Sequence, residues 1–419
     1  MAADRPLSMR SSEAAYAEPS ERGSGVVRFL GLIARAAVSV LVALLIGEAA
    51  LRIAGVKFSA SIYTNDPATG WTLRPNSEGW MVDEREIYVH INSAGMHDRE
   101  RTIAKPPGTL RIAVLGDSTT ASIGVAASDT STATMERVLA QCPELKARKI
   151  EVLNFGTPGF NLAQMSLMLK DRVWSYSPDI ILLELFSGNN IVNNRRDLNN
   201  ADSTIAPFFI LRNGTLVLDD SYRRMPSMTP AAIQRHKVSA DILNRFRILQ
   251  LARAANTALG DRMRPKGVDP RAAKYGADFQ LRLMYTPPSR PEIEDAWAIA
   301  EAVVVAMRDE AVAHGARFWL ATSYMPSQAQ RSAAQRALYG RYGPESLLYP
   351  EWRFTNLAQR EGIPIVKLTD YLEDYANQHK VFLNGWPEGQ LGAGHWNEVG
   401  ERIAGERLAE QFCPLLKND

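Results

Sequence analysis

Cysteine is nearly missing: 419 residues hold only Cys142 and Cys413, too few to build a disulfide scaffold. Neither stands in a Cys/His pattern with zinc spacing, so no structural metal is expected. No basic block or RNA-binding signature occurs, and 48 Lys and Arg against 46 Asp and Glu leave a net charge of +2. Nucleic acid is therefore not an expected partner. No internal repeat is seen. What is present, 46% hydrophobic and 22% charged residues, is ordinary globular composition in a length that suits one large or two modest domains.

Residues 1–25 are rich in Ser, Ala and charge without apolar periodicity, and read as a disordered leader on the cytoplasmic side. Residues 29–51 are apolar except for Arg35 and Glu48, a length that suits one crossing of a hydrocarbon core about 30 Å thick. We read 26–55 as a transmembrane anchor. Arg5, Arg10, Arg22 and Arg28 precede the run, whereas Arg52 and Lys57 are the near basic residues beyond it. By the positive-inside rule the leader stays in the cytoplasm and the bulk of the chain is exported, giving a single-pass inner-membrane protein with a periplasmic domain. A cleaved signal peptide, with 36–47 as its apolar region, and a buried soluble helix are the alternatives. The long leader argues against cleavage, and Arg35 lies near enough to the cytoplasmic end to snorkel.

Residues 56–108 form a lead-in whose EIYVHINSAGMHDRE predicts a strand and a turn. Beyond Pro106-Pro107-Gly108, short apolar runs alternate with helical patterns: LRIAVL (110–115), IEVLNF (150–155), DIILLEL (179–185), RFWLAT (317–322) and IPIVKL (363–368). Near-continuous apolar strands separated by helices predict a parallel sheet covered on both faces. The fold class is α/β: a flavodoxin-like three-layer sandwich with five parallel strands, spanning 109–419. Too many residues separate its third and fourth strands for a simple crossover, so 191–290 reads as an insertion. Asn213-Gly214 between two apolar runs predicts a hairpin there, and 231–259 has helical periodicity. An insertion on that side of a sheet would overhang the site, so we read it as a cap that shapes the substrate cleft.

Ser118 follows the first strand directly, and in open α/β sheets the crevice lies outside the carboxyl ends of the strands. A serine hydroxyl needs a base, and His395, just before the last helical pattern, is one that works near neutral pH. The second and third strands end in NFGTPGF (154–160) and FSGNN (186–190), which bring unshielded backbone N–H groups and an amide side chain to the same rim.

Over residues 110–415 this combination resembles the SGNH hydrolases, or GDSL esterases and lipases, and the lead-in is similar to that of membrane-anchored bacterial members. The family's nucleophile motif matches Gly116-Asp117-Ser118, its second-block glycine Gly159, its third-block asparagine Asn189 and its C-terminal histidine His395. The resemblance implies that Ser118 and His395 are catalytic. It also implies that the N–H groups of Ser118 and Gly159 and the amide of Asn189 stabilise an oxyanion. No cofactor is implied. Asp117 is read as holding the turn after the strand. His90, His97, His236, His314 and His379 are read as ordinary histidines. Trp386 and Trp396 flank the histidine segment, where core packing is the expectation and stacking on a sugar the alternative.

The sequence departs from the family in reading Ser187-Gly188-Asn189-Asn190 in the third block and Thr119 after the nucleophile. More consequentially, the family's aspartate three residues before the histidine is missing, since the run is Gly392-Ala393-Gly394-His395. A backbone carbonyl or a carboxylate from elsewhere must orient the imidazole, and the nearest candidates in sequence, Glu388 and Asp370, stay undecided. The implied activity is hydrolysis of a small acyl ester, acetyl foremost, on an envelope carbohydrate or lipid. An envelope O-acyltransferase and a decayed carbohydrate-binding protein are the alternatives.

Cys142 continues an apolar helical stripe before Pro143, and Cys413 stands before Pro414 at the end of the last helix. In a flavodoxin-like order the first and last helices run side by side, which brings their C-terminal ends together. In an oxidising periplasm such thiols are expected to pair, with two free buried cysteines as the alternative.

Overall fold

The structure, a computed structural model, describes residues 22–145, 148–186, 191, 193–199, 205–263, 285–323, 337, 340–341 and 348–416. The chain divides into two compact units, Met1–Val56 and Lys57–Asp419. In the first, helix α1 spans Arg22–Ile53, so residues 22–25 are helical; residues 1–21 lie outside the described residues. Val26–Ile53 is long and apolar enough to cross a membrane, about 42 Å at the helical rise. Phe29, Val38, Leu41 and Leu45 are all exposed, as expected of a helix that is apolar all round and has no protein core to face.

The second unit opens with two hairpins, β1 (Tyr63–Asp66) with β2 (Gly70–Leu73) and β3 (Glu78–Met81) with β4 (Ile87–His90). They share a small core of Ile62, Leu73, Val89 and Ile91. Strand β5 (Thr109–Leu115) leads to the one-turn helix α2 (Ser118–Ala121), then α3 (Ser131–Leu139), β6 (Lys149–Asn154), α4 (Leu162–Asp171) and β7 (Ile180–Phe186). The insertion follows, with hairpin β8 (Phe208–Arg212) and β9 (Thr215–Asp219) and helices α5 (Pro230–Arg245) and α6 (Arg247–Met263). Asn213 and Gly214 both have positive φ, 52° and 76°, the geometry that a tight two-residue hairpin turn requires. Helix α7 (Pro291–Ala313), β10 (Arg317–Ser323), α8 (Tyr349–Glu361), β11 (Ile365–Lys367), α9 (Thr369–His379) and α10 (Glu398–Leu415) complete the chain.

Five strands pair in parallel in the order β11-β10-β7-β5-β6, the flavodoxin-like order. Alternation along β5 builds both layers at once. Leu110, Ile112 and Val114 pack with Met135, Leu139, Ile403 and Phe412 of α3 and α10, whereas Ala113 and Leu115 pack with Met165, Trp297 and Phe354 of α4, α7 and α8.

The lead-in docks through buried charge. Arg101 bonds Asp98, Glu136 of α3 and the carbonyl of Val152. Arg111, inside β5, pairs with Glu151 and donates to the carbonyls of Thr102 and Ile103. The described residues of the insertion pack on this lead-in. Asn244 accepts from the N–H of Ser61 at 2.8 Å, Asp241 pairs with Arg74, and the Tyr222 hydroxyl lies 2.6 Å from the carbonyl oxygen of Ala68. The buried Arg74 of the lead-in and the half-buried Asn244 of α5 each find a partner in this contact, as polar groups withdrawn from water require.

Cys142 and Cys413 are bonded, with Cα atoms 5.9 Å apart at a sequence separation of 271. The parallel packing of α3 and α10 brings them together. Cross-linking so distant a pair restricts the unfolded chain, typically by about 2–4 kcal/mol. A Cys142→Ser variant should therefore unfold at a clearly lower urea midpoint than the oxidised protein, and an unchanged midpoint would contradict this.

Candidate active site

Ser118 opens α2 at the carboxyl end of β5. Asp117 caps that turn by accepting from the N–H of Thr119 at 3.0 Å, the structural part expected of it. The turn is held from below by Asn154, whose amide donates to the carbonyl of Thr120, and by His97, whose Nδ1 lies 2.8 Å from the carbonyl oxygen of Ala121. Burial pushes His97 down to about 4, so it is a neutral prop.

His395 comes to the same place from the other end of the chain. Asn397, two residues on, caps α10 by accepting from the N–H groups of Val399 and Gly400, and its amide donates to the carbonyls of Phe382 and Gly385. The Gly385 N–H donates to the His395 carbonyl at 2.9 Å. So anchored, His395 places Nε2 2.7 Å from Ser118 Oγ.

The partner on its other nitrogen is Glu84, which lies in the turn between β3 and β4. Glu84 Oε1 is 2.8 Å from His395 Nδ1, and Oε2 accepts from the His395 backbone N–H at 3.1 Å. Both oxygens are used, which fixes the plane of the carboxylate. The seat is built to match: a Cβ on Gly394, at φ +79°, would lie 2.6 Å from the Glu84 carboxylate. Glu388 and Asp370, the candidates nearest in sequence, are corrected by this finding. Both are exposed, Glu388 in the turn before the histidine segment and Asp370 in the first turn of α9.

The charges are mutually supporting. For His395, burial acts to lower the proton affinity, but the bond and charge of Glu84, with the charges of Asp117 and Glu401, outweigh it and raise the net value. For Glu84, burial acts upward and is outweighed by the two bonds and the charge of His395, so its carboxyl titrates below the ordinary range. The pair is therefore an ionised carboxylate beside an imidazole whose Nδ1 carries the proton, leaving the Nε2 lone pair toward Ser118.

Gly159 lies on the same rim after β6, exposed and at φ +79°, with the ring of Trp71 beneath it and the Trp71 indole N–H donating to the Pro158 carbonyl. Asn189 lies outside the described residues. Trp386 and Trp396 are only 3% and 4% exposed, which excludes sugar stacking and makes them core. Among the described residues a cleft of about 140 Å³ adjoins Ser118 and His395, walled by Tyr63, Met81 and Ile87 of the lead-in with Ile123 and Pro158. No described residue of the insertion lines it.

No protein-family model and no curated protein matches the chain. Similar solved structures include an acetyl xylan esterase, 13% identical over 72% of this chain and 99% of that one, with a TM-score of 0.36. Others are a lipase/acylhydrolase from Enterococcus faecalis (12%, 73% and 96%, TM-score 0.35) and an acetylxylan esterase from Geobacillus stearothermophilus (10%, 75% and 96%, TM-score 0.36). The chain shares with the motif pattern noted in its sequence the placement of Gly-Asp-Ser at the end of the first sheet strand, glycine after the second and histidine before the last helix.

The Glu84 assignment is open to a direct comparison. Glu84→Gln should lower turnover of a short-chain ester by about 10³–10⁴, because the imidazole loses its tautomer. Glu388→Gln and Asp370→Asn should leave it within a factor of about 2, these side chains being exposed and outside the Ser118–His395–Glu84 contacts. A large loss in either of these with little loss in Glu84→Gln would overturn the assignment.

Proposed function

We propose that the Lys57–Asp419 unit is a serine ester hydrolase acting through an acyl-enzyme. The observation that carries this reading is the unbroken chain of contacts from Ser118 Oγ through His395 to Glu84. Ser118 Oγ attacks the ester carbonyl while His395 Nε2 takes its proton. Glu84 stays ionised and stabilises the imidazolium that forms. The oxyanion is met by the backbone N–H groups of Ser118 and Gly159 and by the Asn189 amide, donors whose individual loss typically costs about 10²–10³ in rate. His395 then protonates the departing alcohol, and a water molecule repeats the cycle on the acyl-enzyme.

The apolar walls and small volume of the cleft favour a short acyl group, acetyl foremost; the carrier we propose, from the membrane anchor, is an envelope carbohydrate or lipid. An acyltransferase would share every step up to the acyl-enzyme and differ only in the acceptor. A decayed binding protein is disfavoured by a triad whose three members remain in hydrogen-bond contact. Full-length protein should hydrolyse a short-chain chromogenic ester, with Ser118→Ala and His395→Ala reduced by orders of magnitude; equal rates in all three would end the esterase reading.

The pH dependence has a definite sign. Protonated His395 cannot accept the serine proton, so kcat/KM should rise with pH through a midpoint above the ordinary histidine value of about 6.5. Glu84 stabilises the protonated form, so the residual activity of Glu84→Gln should have its midpoint at lower pH. An unmoved midpoint would contradict the pairing.

The anchor reading completes the proposal: α1 crosses the inner membrane once, with the arginine-rich side in the cytoplasm and the hydrolase unit in the periplasm. A C-terminal alkaline phosphatase fusion should be active in cells, and an inactive, stably expressed fusion would contradict the orientation.

A further inference from the structure

Nearly half of the large hydrophobic side chains that the Lys57–Asp419 unit leaves exposed, among its described residues, lie between Val238 and Met263. Single exposed apolar residues are ordinary, whereas a concentration of them marks a surface that is covered in use. Helix α6 sets part of it in order. At about 100° per residue, Leu249, Ala252, Leu259 and Met263 fall within about 80° of one another, and all four are exposed. Asn256 is the polar position in the same stripe. Gln250 falls about 140° away from the stripe's centre and is buried, its amide donating to the Asn244 carbonyl at 3.3 Å and its side-chain oxygen accepting from Arg247 Nη1 at 2.9 Å. The helix is thus held to α5 on its polar side, with the apolar stripe turned to solvent.

The stripe is edged by positive charge. Helix α6 carries three arginines against one aspartate, and two of them, Arg253 and Arg262, lie about 80° and 100° to the two sides of the stripe. Both are exposed, and among the described residues neither is in an ion pair. The attachment of the helix limits what it can meet. Asn244, whose carbonyl holds Gln250, also accepts from the Ser61 N–H with its side chain. Ser61 follows the end of α1 by eight residues, a stretch of chain that reaches at most about 28 Å. On the reading that α1 spans the membrane, the start of α6 stays within that tether of a bilayer surface, whatever the orientation of the unit.

We infer that α6 is a second membrane contact, lying in the plane of an anionic lipid surface with Leu249, Leu259 and Met263 in the acyl boundary and Arg253 and Arg262 on lipid phosphates. An apolar stripe edged by arginines has the chemistry of an interfacial helix, since the long arginine side chains keep their charges at phosphate level while the stripe sinks. A second copy of this chain is a poorer occupant: stripe packed on stripe would set Arg253 and Arg262 of both copies along one seam, like charge beside like. The inference rests on the anchor reading and not on the esterase reading. Two contacts instead of one fix how the lead-in, and the cleft it walls, faces the lipid.

Spin labels test this on the full-length protein, whose two cysteines are joined, so that an introduced cysteine is the single site of labelling. Leu41→Cys, Leu259→Cys and Val312→Cys, all at exposed positions, are labelled and reconstituted into phosphatidylcholine vesicles holding about 30% phosphatidylglycerol. The Leu41 label should lie in the hydrocarbon and the Leu259 label about 5–10 Å into the boundary. Oxygen should then collide with the Leu259 label, relative to a water-soluble nickel chelate, several-fold more often than with the Val312 label. In pure phosphatidylcholine, or with Arg253→Gln and Arg262→Gln together, that ratio should fall toward the Val312 value while the thermal midpoint is kept. A Leu259 label as open to the chelate as Val312, with Leu41 in the hydrocarbon, would overturn this inference alone. A Leu41 label in water would overturn the anchor reading and this inference with it. A Leu259 label shielded from both reagents equally in the two lipids would mean that a second copy or another segment of this chain covers the stripe, and would overturn it too.

Discussion

The contact between Glu84 and His395 is the one on which the rest of the site depends. A serine and a histidine brought together at a sheet edge make a nucleophile only if the imidazole presents the right nitrogen, and the Glu84 carboxylate decides that. It does so with both oxygens, one on the ring and one on the backbone N–H of the same residue, so ring and main chain are oriented together. The loop that receives it is built around this approach, since at Gly394 any side chain would occupy the space the carboxylate needs.

This makes the lead-in a working part of the candidate site. Its two hairpins and five-residue core, Ala60 included, are too small to be stable alone. They are held by the Arg101 and Arg111 networks on the sheet side and by α5 of the insertion on the other. The insertion thus acts on the site indirectly, by pressing into place the segment that supplies both Glu84 and the Tyr63, Met81 and Ile87 wall of the cleft.

The sheet was legible in the amino-acid sequence because strands buried on both faces are near-continuous apolar runs, and all five stand within about two residues of where those runs place them. The Asn213-Gly214 turn was legible for a local reason, positive φ at both positions. Ser118 and His395 were legible from motif and order. Glu84 was not, because it is 311 residues from its partner and sits in the turn Asp83-Glu84-Arg85-Glu86, indistinguishable in composition from a solvated surface turn. The usable hint was negative: a histidine segment with no acid of its own but with glycines at 389, 392 and 394, which is room for a visitor. The contacts of the insertion's described residues were not legible either, since sequence could not say that its polar residues would find partners on the lead-in.

The most direct test of this account is the proton NMR spectrum of the protein at low field, where an imidazole N–H held by a carboxylate appears well apart from the amide envelope. The native protein should show such a resonance from His395 Nδ1–H, retained in Glu388→Gln and Asp370→Asn and lost in Glu84→Ala. A resonance that survives in folded Glu84→Ala would mean that another group orients the histidine, and the central claim would be wrong.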